Sequence, residues 1–491
     1  MERIHPDAVS VRSAHYIGGA YIDDELALEV RRPSDGKPYA GLPVASPEMV
    51  DRAVQDAWSA FRTSDWARRA PRERARVLRR WADLIELDAA VLAPMETVGS
   101  TRPIRDALGW DVPFTAEGIR FFAEFADKHG GDVAATRSDT LGMTIAEPYG
   151  VIGAIAPWNF PLVMASWKIA PALAAGNAVV LKPSELTPFS ALRLAELAVQ
   201  AGMPPGIFNV IQGDGAVTGD ALVRHPKISK VTFTGSTRTG SAIMAACAQT
   251  GIKPVTLELG GKSPQVVFAD APDLDRTART IAGAISGNAG QVCVAGSRLI
   301  VQRSAADRLV SGIVAAFGAL KAGHTWEDDT TLPPIIRPSD ALRIDGVVQR
   351  TVAAGASLLC GGRLLAVAGA GGYYQPTILA DVHAGMEAVR DEIFGPVLTL
   401  QVFDDDDEAL ALADHPAYGL AAGVHTADIG RALRFVRKLE AGTVWVNRYG
   451  RSADYVIPTG GFKRSGVGKD LGRQAYEANL RFKSVLIDFA E

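Results

Sequence analysis

The sequence predicts an α/β protein of two lobes, each built on a mostly parallel sheet covered by helices, with a cleft between them. Two observations lead there. From residue 150 to about 270, short apolar runs alternate with helical stretches, and a second alternating set follows from about residue 273. With 491 residues, 47% hydrophobic and 22% charged, the chain can fill more than one large core, at roughly 100–200 residues per domain.

The N-terminal section reads as helical. Val50, Val54, Ala57, Trp58 and Phe61 share one helical face, and so do Val77, Leu78, Trp81, Leu84 and Ile85. The arginines between Arg68 and Arg80 are read as a solvated helix face rather than a nucleic-acid patch, because Glu73, Asp83 and Glu86 are interleaved. Tyr149–Trp167 carries no charge and has the length of a membrane span. Pro157, Pro161 and Asn159 interrupt it, so the reading is a strand followed by a tight loop, and no membrane segment. The runs 151–156, 178–181, 208–211, 230–233 and 255–259 read as strands, with helices over 188–201 and 237–249. In the second set, helices are expected around 273–289 and 304–320, and strands around 298–302, 397–402 and 443–446. The acidic run 404–408 lacks the alternating ligand spacing of a calcium loop and is read as a helix N-terminus.

The net charge of −4 gives no bulk attraction to nucleic acid or acidic lipid. Three cysteines without a CxxC pair leave no disulfide framework and no thiolate metal site, and fit a reducing compartment. The opening residues lack the apolar core of a secretory leader, so a cytoplasmic location is expected.

Four segments combine polar or reactive side chains with glycine- or proline-rich loops. Ala156–Pro161 follows a strand and holds the Asn159 amide between prolines. Thr232–Gly240 runs from a strand into a helix, where Gly235, Ser236 and free backbone N–H groups suit a phosphate. Leu257–Pro264 sets Glu258 at a strand end beside Gly260 and Gly261. Gly287–Cys293 ends on a lone thiol. Singly, each is weak: a lone cysteine is more often a small buried hydrophobe, and Cys247 and Cys360 are read that way.

Together, in this order and at these separations, the four segments resemble the aldehyde dehydrogenase superfamily. Further segments extend the resemblance from about Tyr16 nearly to the C-terminus: Lys182–Glu185, Glu392–Val397, Val444–Asn447 and Gly460–Gly466. The resemblance implies an α/β fold with a Rossmann-like NAD-binding domain (1–125 and 149–258), an α/β catalytic domain (259–460) and a small β oligomerisation element (126–148 and 461–491). It implies oxidation of a small-molecule aldehyde to the carboxylic acid with NAD, and leaves NADP open. A homodimer or homotetramer is expected, because the alternating tail Arg481–Phe489 leaves an apolar edge that needs a partner. The alternatives are a semialdehyde dehydrogenase that accepts NADP, and a non-catalytic structural member of the family.

By that resemblance, Cys293 is the nucleophile that forms a thiohemiacetal, and Asn159 with the Cys293 backbone N–H holds the oxyanion. Glu258 activates the water that cleaves the thioester, which favours hydrolysis over acyl transfer to coenzyme A. Lys168 matches a lysine near the cavity. Cofactor contacts fall on Trp158, Lys182, Ser184, Glu185, Gly235, Ser236, Gly240, Leu259, Glu392 and Phe394. The substrate tunnel is expected from Phe160, Met164, Trp167, Val292, Val294, Tyr455 and Thr459, and no metal site is expected. Three segments depart from the family pattern. Gly99–Pro103 lacks the usual lysine. Leu332–Ile336 replaces a Gly-Pro segment and is read as a surface-proximal loop. Thr459 stands where an aromatic is common and is read as a wider or more polar tunnel wall.

Overall fold

The computed structural model describes residues 4–367 and 372–489. The outermost residues of the expected segments 1–125 and 461–491, and 368–371 within 259–460, lie outside the described residues. Two large sheets, a three-stranded one and three two-stranded ones are present among the described residues.

The first sheet has eight strands. Its parallel centre is made of Val151–Ile155, Ala178–Lys182, Phe208–Val210, Ile228–Thr234 and Val255–Glu258. Numbered in chain order, these lie 3-2-1-4-5 across the sheet. The order therefore reverses between Val151–Ile155 and Ile228–Thr234. In a doubly wound sheet, ligands bind outside the carboxyl ends of the strands at that reversal. The two loops that leave there are Ala156–Phe160 and Gly235–Ser236. Short antiparallel strands close both edges: His15–Ile17 beside Phe208–Val210, and Gly466–Val467 beside Val255–Glu258.

The second sheet has seven strands. Thr377–Ala380, Val397–Phe403, Arg298–Gln302, Pro264–Val267, Ala421–His425 and Thr443–Val446 are parallel, and Ser357–Cys360 is antiparallel at one edge. In the third sheet Leu480–Asp488 pairs along its whole length with Thr140–Pro148.

The uncharged stretch beginning at Tyr149 is a strand, a loop and then a helix, Pro161–Ala174, which the sequence reading did not foresee. Every residue of that helix is buried. A helix buried on all sides carries little amphipathic period, which explains the likeness of its uncharged first half to a membrane span. No helix among the described residues is long and apolar enough to cross a membrane. Proline at its first position gives up an N–H that would be unpaired anyway, and the Leu162 N–H donates to the buried Glu96 carboxylate at 3.0 Å.

Near residue 70 the arginines are mostly solvated and paired, as with Arg69–Asp65 and Arg72–Asp127. Arg74 differs: it is buried and donates to the carbonyls of Arg69 and Ala174. In the acidic run, the Asp405 carboxylate accepts from the N–H groups of Asp407 and Glu408 and caps the helix Asp406–Ala413.

Candidate active site

A continuous cavity of about 1040 Å³ opens where the first sheet reverses. It is lined by Lys182, Ser184, Glu185, Gly235 and Ser236, by Trp158, Leu259, Glu392 and Phe394, and by Cys293 and Asn159. Phe160, Met164, Trp167, Val292 and Val294 belong to the same wall.

The Cys293 loop is held by its backbone conformation. The helix Leu274–Ser286 ends, and Asn288, Ala289 and Gly290 then adopt φ values of 47°, 52° and 73°. Three left-handed residues in succession are costly for L-amino acids and persist only where the surroundings fix them. Here they do. A Cβ on Gly290 would lie 2.2 Å from the Gly395 carbonyl oxygen, so this loop abuts the Glu392–Pro396 segment. Asn288 receives a hydrogen bond from Thr101 at 2.7 Å and donates to the Asn159 carbonyl at 3.0 Å. The Gln291 side chain donates to the Pro334 carbonyl and accepts from the Ile336 N–H. Leu332–Ile336 is thus buried against the nucleophile loop, which corrects its reading as a surface-proximal loop.

The Asn159 side-chain amide donates one hydrogen to the Gln291 carbonyl at 3.0 Å, which fixes its plane and leaves the second N–H. Burial pushes the Cys293 thiol up to about 11, opposed by the nearby Arg451 charge. Glu258 ends its strand with a buried side chain whose Oε1 has no partner among the described residues. Burial and the Asp470 charge push its carboxyl up to about 8, and Lys168 and Arg451 oppose the shift. Glu258 stands behind the cavity wall: a Cβ on Gly460 would come 2.7 Å from its Oε1.

The Gly260–Gly261 pair lets three groups meet. A Cβ on Gly261 would lie 2.6 Å from the Cys293 carbonyl oxygen, and one on Gly260 would lie 2.2 Å from the Glu392 carboxylate. The Gly261 N–H donates to Glu392 at 3.0 Å. Gly261→Ala should therefore displace the sulfur and lower kcat/KM for aldehyde oxidation by about tenfold to a hundredfold. Steady-state rates, read beside a thermal melt, check this.

The Ser236 hydroxyl accepts from Thr239 N–H and caps the helix Thr237–Gln249. Gly240 lies against Leu259, where a Cβ would come 2.5 Å from that side chain, so glycine permits close packing of helix on strand. Lys182 is buried, donates to the carbonyls of Pro183 and Gly213, and stands 3.5 Å from the Glu185 carboxylate. The rings of Trp158 and Phe394 meet edge to face at 5.4 Å. Gly215 and Gly287 also line the cavity, and a Cβ on either would project into open space. A helix N-terminus with a hydroxyl, a carboxylate beside a lysine and an aromatic slot near the thiol suit a dinucleotide.

Five expected site residues do not line the cavity: Glu258, Gly240, Lys168, Tyr455 and Thr459. Lys168 lies behind it in a buried 2.6 Å ion pair with Asp470. The Tyr455 hydroxyl donates to the Phe114 carbonyl, and its ring packs on Phe114 and Phe121. Thr459 is buried, exchanges backbone hydrogen bonds with Asp470 and receives the Arg451 guanidinium. Sequence reasoning missed Arg102 and Trp110 in the wall, Asp470 beneath it, and the brace formed by Gln291.

The sequence matches the aldehyde dehydrogenase family over residues 21–485. The chain belongs to that family. This aldehyde dehydrogenase is 41% identical to the NADP/NAD-dependent aldehyde dehydrogenase PuuC of Escherichia coli over 98% of its length and 96% of the relative's. It is similar to a cysteine-to-alanine mutant of Pseudomonas syringae indole-3-acetaldehyde dehydrogenase AldA, solved with NAD+ and IAA, at 40% identity and a TM-score of 0.96, covering 98% of both chains. The gamma-glutamyl-gamma-aminobutyraldehyde dehydrogenase of Burkholderia cenocepacia gives 41% identity and a TM-score of 0.96, covering 99% of this aldehyde dehydrogenase and 98% of that chain.

Proposed function

We propose that the chain oxidises an aldehyde to its carboxylic acid with NAD as hydride acceptor, by way of a thiohemiacetal and then a thioester on Cys293. The observation that carries this is one cavity joining Cys293 and Asn159 to the Lys182–Glu185, Ser236 and Glu392–Phe394 segments. An aldehyde releases hydride only after a nucleophile has added to its carbonyl, and a thiolate adds well. The negative charge that develops on oxygen meets the second Asn159 N–H and the Cys293 backbone N–H. Losing one such donor typically costs about a hundredfold or more in rate. When bound, NAD supplies the hydride acceptor that leaves the acyl group on sulfur. Glu258 then takes a proton from the attacking water, with Asp470 and Lys168 setting the charge around it. A carboxylate at this place favours hydrolysis over acyl transfer to coenzyme A or phosphate.

Lys182 and Glu185 would hold the adenosine ribose, Ser236 the pyrophosphate and Glu392 the nicotinamide ribose, with Trp158 and Phe394 along the channel. The Glu185 carboxylate repels a 2′-phosphate, whereas Lys182 tolerates one. The test is reduced-nicotinamide absorbance with a panel of aldehydes and both cofactors. Higher kcat/KM with NAD is expected, and Glu185→Gln should narrow the gap. Equal or better rates with NADP would defeat the Glu185 argument.

The chain also assembles, in this reading, as a homodimer or homotetramer. Leu480–Asp488 is the outer strand of its sheet, and Phe482, Leu486, Ile487 and Phe489 are exposed along it. An apolar open edge pairs with another chain unless it is blocked. Analytical ultracentrifugation should find no monomer at micromolar concentration, and Leu486→Lys should shift the population toward it.

A further inference from the structure

The cavity wall carries four cationic side chains: Lys182, Arg102, Arg224 and Arg451. Three have a carboxylate partner. Lys182 faces Glu185, Arg102 is bonded to Asp111 at 2.8 Å, and Arg224 is bonded to Asp220 at 2.9 Å. Arg451 has none among the described residues. Its guanidinium lies over the Trp167 ring, 4.7 Å from the centroid, and donates to the Thr459 hydroxyl. Those two contacts hold it in place without neutralising it. Its charge is felt at both Cys293 and Glu258, and its contact with Trp167 sets it among the residues expected to form the substrate tunnel.

A guanidinium that is partly shielded from water and has spare donors recognises planar oxyanions, most strongly by two parallel hydrogen bonds to a carboxylate. The carboxylates that act on Arg451 are Glu258 and Asp470, and neither forms an ion pair with it: Asp470 is bound to Lys168, and Glu258 stands behind the cavity wall. Asp106 in the cavity wall lies between Arg102 and Arg105. Phe160, Met164 and Val292 supply an apolar passage for the carbon chain.

We propose that Arg451 is a specificity residue that selects aldehydes bearing a carboxylate at the end remote from the formyl group. This rests on the cavity being an aldehyde-oxidising site. Thr459 anchors the guanidinium, which gives a reason for a hydroxyl at that position. The substrate class is then a semialdehyde of a dicarboxylic acid, and the product is the dicarboxylate.

The test compares glutaric semialdehyde with its methyl ester and with pentanal, in the wild type, Arg451→Lys and Arg451→Gln. The quantity read is the ratio of kcat/KM for the acid to that for each neutral aldehyde, because any effect of Arg451 on the thiol or on Glu258 cancels in that ratio. Glutarate binding is followed in parallel by calorimetry. The expected result is a wild-type ratio on the order of tenfold or more, near one in Arg451→Gln and intermediate in Arg451→Lys, with the glutarate heat lost in Arg451→Gln. A wild-type ratio near one, or a ratio unchanged in Arg451→Gln, overturns the assignment while leaving aldehyde oxidation in place. If no aldehyde is oxidised, the proposed function fails, and glutarate binding alone decides the subsite. Binding that depends on Arg451 supports it, and binding indifferent to Arg451 overturns it. Should Arg451→Gln not fold, Arg451→Lys gives the same decision from its ratio.

Discussion

Cys293→Ala should lower aldehyde oxidation by a factor on the order of ten thousand or more, because no second thiol lines the cavity among the described residues to form the thiohemiacetal. Cys247 and Cys360 do not line the cavity and cannot substitute. Binding of NAD should survive, since the cofactor contacts proposed above do not involve the sulfur. Oxidation rates and calorimetry on the same preparation separate the two effects. A variant that still oxidises aldehydes at the wild-type rate would remove the covalent mechanism. The partly buried thiol also predicts a pH response. Held up to about 11, it is protonated near neutrality, so ionisation must be drawn by a base or by bound ligands.

Glu258→Gln should have the next largest effect, a loss on the order of a hundredfold to ten-thousandfold in steady-state kcat. The loss falls on the second half of the reaction. A first turnover of reduced nicotinamide should still appear quickly and then stall, with an acyl group detectable on the protein by mass spectrometry. Equal loss of burst and steady state would place Glu258 in the first half instead. In the wild type, a base must be ionised to work, so the hydrolytic step should accelerate as pH rises through about 8. Stability should move the other way. Between the usual carboxylate range and about 8, the folded chain holds a proton at Glu258 that the unfolded chain lacks, so this group's share of stability is lost as pH rises across that window. That share should vanish in Glu258→Gln.

Much of the first sheet could be read from the residues. Val151–Ile155, Ala178–Lys182 and Ile228–Thr234 are rich in β-branched residues, and buried parallel strands show themselves that way. Ala421–His425 lies inside the second sheet yet was missed, because Ala-Ala-Gly-Val-His has little strand character and only its neighbours make it a strand. Pro264–Val267 was missed because it begins with a proline inside a loop-like motif. The helix Pro161–Ala174 had no period to find.

At the site, Cys293, Asn159 and the cofactor-side segments meet in one cavity; each loop was weak by itself, and they were legible only together, through the family resemblance. Lys168 was named only because it matches a family lysine near the cavity; its partner Asp470 lies 302 positions away and nothing local announces it. Tyr455 and Thr459 were expected in the wall because the resemblance sets an aromatic beside the tunnel at the position of Thr459 and leads the segment 448–457 past the same entrance. The fold turns Tyr455 under Phe114 and leaves Arg451 facing the cavity.

Gly466–Val467 completes the first sheet beside Glu258, Asp470 neutralises Lys168, and the Asn479 carbonyl is bonded by Asn177. A chain cut before these residues would keep the braces of its cysteine loop, which come from Thr101, Pro334 and Ile336, but would lose the edge strand and the charge balance around Glu258. The two halves of the reaction therefore lean on different parts of the molecule, and clipping the last stretch should silence the hydrolytic half first.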